Sequence, residues 1–117
     1  GHVERGEDVL SSAKRELDEE TGLSADLRLV GTLQVDVEPT MGICVYVFTG
    51  KCEKGEPRPS AEGQLEWISY NDLDQYPLVE DVAILLERIC AMDSGDHPFS
   101  ARSFYDENEK LTVRFGE

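Results

Sequence analysis

The first 23 residues contain the pattern that most restricts the fold of this chain, a short helix with well-defined ends. Asp8 is a typical N-cap residue, and good helix formers follow it. Gly22 stands where a helix commonly ends in the left-handed conformation. These residues predict a helix over 8–21.

Three glutamates, Glu16, Glu19 and Glu20, lie toward the C-terminal end of this helix. Successive helical residues turn by about 100°, so the three carboxylates fall on one face. Like charges at these spacings destabilise a helix, and anions are disfavoured near a helix C-terminus. This placement indicates a bound cation, and hard oxygen ligands suit Mg²⁺ or Mn²⁺. The alternative is a solvated acidic helix face.

The same segment resembles the Nudix box, G-x5-E-x7-R-E-U-x-E-E-x-G-U, in which U is a bulky aliphatic residue. Gly1, Glu7 and the run RELDEETGL at 15–23 fill every specified position. The resemblance implies an α/β fold, the Nudix α/β/α sandwich, with a mixed sheet between the box helix and a helix at 79–91. It also implies a single hydrolase domain over 1–117 that cleaves a nucleoside diphosphate linked to another group.

The resemblance further implies roles for the box residues. Glu16, Glu19 and Glu20 would be the metal ligands, with Mg²⁺ or Mn²⁺ as the metal. One of them would also accept the proton of the attacking water. Arg15 and Glu7 would form a salt bridge that orients these glutamates, which makes them part of the catalytic set.

A further acid is expected beyond the box. MutT-like members of the family often complete the metal site with a glutamate upstream of a tryptophan, and Glu62 before Trp67 is similar to that arrangement. We expect Glu62 to be an additional metal ligand or the catalytic base; an exposed loop acid is the alternative. Glu66 is the weaker candidate, and Trp67 is expected to pack in the core.

Two acids precede the last long helical segment, and the resemblance gives them a substrate role. In MutT-like and 8-oxo-purine hydrolases this region lines the base pocket, so Glu80 and Asp81 are candidates to accept hydrogen bonds from a purine edge. The alternative is that both residues occupy the first turn of a helix, where acids interact favourably with the helix dipole.

Composition limits the partners of the chain. It has 25 acidic and 11 basic residues, a net charge of -14, which argues against sequence-independent binding to nucleic acid. No apolar run approaches the length of a membrane span. The partner expected instead is a small nucleotide.

The three cysteines show no CxxC spacing, so neither a zinc site nor a disulfide framework is expected. Cys44 and Cys90 stand in apolar runs and are predicted to be core thiols. Together with the absence of a signal peptide, this predicts a cytoplasmic, reducing setting.

Apolar periodicity predicts the remaining elements. They are a strand at 26–38, a buried strand at 43–50, a short strand at 65–69, a helical turn at 71–75, a helix at 79–91, and a hairpin of 101–106 with 110–115.

The chain departs from the family at its start, because Nudix domains normally have strands before the box and this sequence begins on the first glycine. We therefore expect a fragment, or the C-terminal part of a longer polypeptide, that alone aggregates or forms a homodimer and has weak or no hydrolase activity. The preferred substrate is a nucleoside triphosphate, such as the oxidised purine 8-oxo-dGTP, cleaved to the monophosphate and pyrophosphate. The alternatives are an ADP-ribose or nucleoside-diphosphate-sugar pyrophosphatase and a non-catalytic ligand-sensing module.

Overall fold

The computed structural model describes residues 1–52 and 67–116. In chain order, the helices and strands are α1 (Val9–Thr21), β1 (Asp26–Glu38), β2 (Met41–Lys51), a 3-10 helix (Tyr70–Gln75), α2 (Glu80–Cys90), β3 (Phe99–Tyr105) and β4 (Leu111–Phe115). The chain divides into two compact units. Unit 1 comprises Gly1–Leu29 and Phe48–Trp67, and unit 2 comprises Val30–Val47 and Ile68–Glu117.

The four strands form one mixed sheet in the order β2-β1-β3-β4. β1 and β3 are parallel, with Leu33 opposite Ala101, whereas β3 and β4 form an antiparallel hairpin with Ser103 opposite Val113. β1 and β2 are connected by the turn at Pro39 and Thr40. The mixed sheet and the α/β class agree with the prediction from the sequence.

Helix α1 begins and ends where its capping residues predict. The Asp8 side chain accepts a 2.8 Å hydrogen bond from the backbone N–H of Ser11. At the other end Gly22 adopts φ 72°, and its N–H donates to the carbonyl of Asp18 at 2.8 Å. A side chain is strained at such a φ, so glycine sets the end of the helix. Leu23, the next residue, is buried.

The core of unit 2 is formed by side chains of β1, β3 and β4 together with α2. Strand alternation creates it, because the side chains of Phe99 and Ala101 are buried while Ser100 and Arg102 between and beyond them are exposed. The buried members are Val30, Leu33, Phe99 and Ala101, and the partly buried residues packed against them include Leu85, Ile89, Met92, Val113 and Phe115. Helix α2 therefore contributes its apolar side to this core.

Most predicted elements are present. The strand at 26–38 has the predicted bounds, the helical turn is the 3-10 helix, the helix at 79–91 is α2, and the hairpin is β3–β4. The strand at 65–69 is not: residues 67–69 are not in a strand, and 65–66 lie outside the described residues. In the described part of the chain, no helix is long and apolar enough to cross a membrane.

Three predictions of burial were wrong. β2 forms, but its residues 41–46 are exposed, and the thiols of Cys44 and Cys90 are exposed rather than in the core. β2 lies at the edge of the described sheet, and Cys90 is the last residue of α2. Trp67 is 62% exposed, since no strand at 67–69 fixes its side chain toward a core. The apolar composition of these segments predicted that a strand and a helix form. Whether their side chains are buried depends on which other parts of the chain pack against them.

Candidate active site

The best-defined polar network of unit 1 is centred on Arg15 of α1. Its guanidinium makes two hydrogen bonds to Glu7, from Nε to Oε2 at 2.8 Å and from Nη2 to Oε1 at 3.0 Å. Both side chains are largely buried, with exposures of 24% for Arg15 and 18% for Glu7. A paired fork of this kind fixes the orientation of both groups. The loop before α1 is thereby fastened to the helix.

The remaining nitrogen of Arg15 contacts two glutamates of the box. Arg15 Nη1 donates to Glu16 Oε1 at 3.1 Å and to Glu19 Oε2 at 3.2 Å. Two carboxylates of the same helix thus converge on one positively charged nitrogen. Glu16 is 22% exposed whereas Glu19 is 57% exposed, so Glu19 has the freer side chain.

These contacts change the ionisation of the site. The hydrogen bond from Arg15, with a second from the backbone N–H of Glu4, lowers the pKa of Glu7. Burial works to raise the pKa of Glu16, whereas hydrogen bonds with Arg15 and the neighbouring Glu20 and the charge of Arg15 work to lower it. The pKa of Arg15 is raised, chiefly by its hydrogen bond to Glu7. Glu7, Arg15 and Glu16 are all charged at neutral pH.

The start of the chain lies directly against the box helix. The amino nitrogen of Gly1 is 3.7 Å from Glu16 Oε2. A Cβ at this position would lie 1.9 Å from Glu16 Oε1, so a side chain could enter only if Glu16 moved away. The glycine that opens the box therefore gives the Glu16 carboxylate its room.

The family implies a divalent metal, and the residues present fit one in donor type. Glu16, Glu19 and Glu20 offer carboxylate oxygens, which hard divalent cations prefer. The carboxylates of Glu16 and Glu19 already accept hydrogen bonds from the same nitrogen, Arg15 Nη1. The guanidinium thus supplies a positive charge between them. Within residues 1–52 and 67–116, no three histidine, cysteine, aspartate or glutamate side chains converge as a ready metal site.

Two contacts in this site were missed from the sequence. The backbone carbonyl of His2 accepts a 3.1 Å hydrogen bond from Arg15 Nη2. The backbone N–H of Glu4 donates to Glu7 Oε1 at 2.9 Å. The box leaves both positions unspecified, and backbone atoms carry no residue-type signal, so no sequence pattern could have identified them.

The other predicted site residues are less well placed by the structure. Glu62 and Glu66 lie outside the described residues. Glu80 and Asp81 occupy the first turn of α2, as the helix-dipole interpretation requires. Glu80 also lines an open cavity of about 570 Å³ in unit 2, beside Val79, Tyr105 and Lys110, whereas Asp81 is absent from its lining.

Comparison with known proteins identifies the family of the chain. The family model of the NUDIX domain matches residues 1–89. The chain is 34% identical to the oxidized purine nucleoside triphosphate hydrolase of Danio rerio over 79 residues, which are 66% of this chain and 49% of that protein. It is 35% identical to the protein of the same name from Mus musculus over 82 residues, 68% of this chain and 51% of that protein.

A solved structure shows the same fold. The crystal structure of the MutT protein from Bacillus halodurans matches with a TM-score of 0.82 and 22% identity, covering 98% of this chain and 78% of that one. The chain belongs to the Nudix family. It spans about half the length of the curated relatives that it matches.

Proposed function

We propose that this chain is the box-bearing part of a metal-dependent Nudix hydrolase that cleaves a nucleoside triphosphate to the monophosphate and pyrophosphate. The observation that supports this proposal most strongly is the convergence of Glu16 and Glu19 on one cationic nitrogen of Arg15. The box helix thereby holds two oxygen donors around a positive charge, with Glu20 next to Glu16.

The metal of the proposal is Mg²⁺ or Mn²⁺, held by Glu16, Glu19 and Glu20, with Glu62 as an additional ligand or the base. When bound, such an ion neutralises the diphosphate charge and makes the attacking water more acidic. The protein contributes orientation: Glu7 holds Arg15, and Arg15 directs Glu16 and Glu19. In the overall reaction, water forms a new P–O bond, the bond between the α- and β-phosphoryl groups breaks, and a glutamate takes the released proton.

The substrate we favour is an oxidised purine nucleoside triphosphate, with 8-oxo-dGTP as the first to test. The named activity of the two curated relatives supports this choice. Glu80 is the residue of this chain that we assign to the purine edge, because it lines an open cavity, and Asp81 is its second candidate. The favourable position of both acids in the first turn of α2 is compatible with that role.

A panel of substrates tests the proposal. The chain would be assayed with Mg²⁺ or Mn²⁺ against 8-oxo-dGTP, dGTP, ADP-ribose and a nucleoside diphosphate sugar. We expect release of pyrophosphate from 8-oxo-dGTP in preference to dGTP, abolished by EDTA. Turnover of ADP-ribose alone would instead identify a nucleoside-diphosphate-sugar type of enzyme. Saturable nucleotide binding with no turnover of any substrate in the panel would identify a ligand-sensing module.

The setting of the protein forms part of the same proposal. All three cysteines are free thiols, which supports the reducing environment of the cytoplasm. The substrate is a free nucleotide and not a nucleic acid, in keeping with the net charge of -14.

A further inference from the structure

The exposed face of the β3–β4 hairpin carries two arginines directly opposite each other. Arg102 of β3 is paired in register with Arg114 of β4. Like charges at directly opposed positions of an antiparallel pair destabilise the sheet. The pairing stands out because only 11 of the 117 residues are basic. Two of the few basic residues of this acidic protein therefore lie at directly opposed positions, where like charges repel each other.

An aromatic ring lies beside both arginines. The guanidinium carbon of Arg102 is 4.4 Å from the centroid of Phe104, and that of Arg114 is 5.4 Å from the same centroid. The register places Thr112, not Arg114, opposite Phe104, so both arginines lie on the same side of the ring along the strands. Phe104 thus forms an apolar wall against which the two guanidinium groups are ordered.

The two arginines differ in their partners. Arg102 donates through Nε and Nη2 to the carboxylate of Asp36 on β1, which leaves its Nη1 without a hydrogen bond to any described residue. Arg114 makes no hydrogen bond or ion pair with another residue in 1–52 or 67–116; its described contact is with Phe104. Its side chain is exposed. The positive charge of Arg114, the donors of its guanidinium group and Nη1 of Arg102 therefore face solvent.

We propose that Arg102, Arg114 and Phe104 form a binding site for a phosphate group, separate from the site on α1. Guanidinium groups match phosphate oxygens in geometry and bind them through charge-assisted hydrogen bonds. A phosphate dianion between the two arginines would neutralise the positive charge of Arg114, which Asp36 leaves uncompensated. The two guanidinium groups supply the charged donors of this site, so the ligand feature recognised is the phosphate.

The test is a titration of inorganic phosphate into the chain in EDTA, at constant ionic strength held with chloride. EDTA removes the divalent ions through which the α1 glutamates would bind phosphate, so the result is independent of the proposed hydrolase activity. The guanidinium Nε–H signals of Arg102 and Arg114 would be followed by NMR, together with the midpoint of thermal unfolding. We expect saturable shifts of both signals and a rise in the unfolding temperature as phosphate binds the folded chain.

Matched variants make the titration specific. Arg114→Gln should weaken phosphate binding by about tenfold or more, the loss expected when a charged hydrogen-bonding group is removed. Arg28→Gln, the same charge change on β1, should leave it unchanged. Asp36→Asn should strengthen binding, because it frees the remaining donors of Arg102. Shifts that do not saturate, or equal affinity in the parent and Arg114→Gln, would overturn the site.

Two further ligands identify the source of the phosphate. AMP binding as tightly as inorganic phosphate, with no effect from adenosine, would support a site that accepts the free anion and the ester alike. Tighter binding of AMP would assign the site to a phosphate ester. Adenosine binding as well as AMP would contradict phosphate recognition.

Discussion

Glu7 and Arg15 are joined by two nearly parallel hydrogen bonds of 2.8 and 3.0 Å, although eight positions separate them in the sequence. The pair connects the loop before α1 to the helix that carries the candidate metal ligands. Arg15 also donates hydrogen bonds to Glu16 and Glu19. A change in the Glu7–Arg15 pair is therefore expected to alter the positions of both carboxylates. The pair is therefore expected to act on metal binding and turnover through these glutamates, without contacting the substrate.

The first prediction follows from this fork. Arg15→Lys keeps the charge but cannot donate in parallel to both oxygens of Glu7 while holding Glu16 and Glu19. We expect turnover and Mn²⁺ affinity to fall by about 10- to 100-fold, the usual loss when a partner of a metal ligand is changed. Calorimetric titration with Mn²⁺ and initial-rate assays would measure both. Arg5→Lys is the control, and an equal loss there would remove Arg15 from the site.

The second prediction concerns the metal ligands themselves. Glu19→Gln and Glu20→Gln remove a negative charge and keep the shape of the side chain. Turnover should fall by about 100-fold or more, comparable to the loss of a main electrostatic stabiliser. The fold should survive, because these carboxylates repel one another along the helix. Circular dichroism and rate measurements would establish this, and near-normal rates in both variants would disprove the assignment.

The third prediction separates Glu62 from Glu66. If Glu62 binds the metal or accepts a proton, Glu62→Gln lowers kcat strongly and changes the pH profile of the reaction. Glu66→Gln, the matched change in the same segment, should have a much smaller effect. Steady-state kinetics across pH for both variants would show it. Small and equal effects would return Glu62 to the status of a loop acid.

The fourth prediction concerns acid stability. The hydrogen bond from Arg102 lowers the pKa of Asp36 in the folded chain. A lowered folded-state pKa contributes stability above the unfolded-state pKa of an aspartate, about 3.9, and that contribution is lost as the pH falls through the lower folded value. Asp36→Asn should therefore unfold more easily than the parent at pH 7. Thermal melts from pH 7 to pH 2 should show the two curves converging only below about pH 4. A constant difference would contradict this linkage.

The fifth prediction concerns the exposed edge strand β2. Met41, Ile43 and Val45 are between 40% and 58% exposed, and the run from 41 to 47 carries no charge. An uncharged apolar edge favours pairing with another chain, so the 117-residue chain should self-associate, as a homodimer or a larger aggregate. Sedimentation velocity would reveal it, and Ile43→Lys should reduce it. Tyr105→Lys, at an exposed aromatic residue outside β2, should not; a monomer at all concentrations would refute the prediction.

The parts of the fold that are predictable from the sequence are those set by local chemistry. Asp8 and Gly22 define α1 because one accepts a backbone N–H and the other adopts a positive φ, and neither depends on distant residues. The alternation in β3 likewise defines which side chains face the core. These effects operate within a few residues, so a pattern along the chain contains them.

The errors occur where the burial of a residue depends on which other parts of the chain pack against it. Cys44 and Trp67 have the composition of core residues, yet both are exposed in the structure. The opposition of Arg102 and Arg114 also could not be read from the sequence, because it depends on hairpin register. In the candidate site, the box resemblance indicated Glu7 and Arg15 as partners, but the His2 carbonyl and the Glu4 N–H are backbone contacts without a residue signature.

The exposure of Trp67 gives the molecule a built-in optical reporter. It is the only tryptophan in the chain, so the intrinsic indole emission comes from one known position. At 62% exposure this emission should be red-shifted and accessible to a soluble quencher such as acrylamide. A ligand or second chain that covers the indole would shift the emission to shorter wavelength. Unlabelled protein therefore reports directly on events at this position.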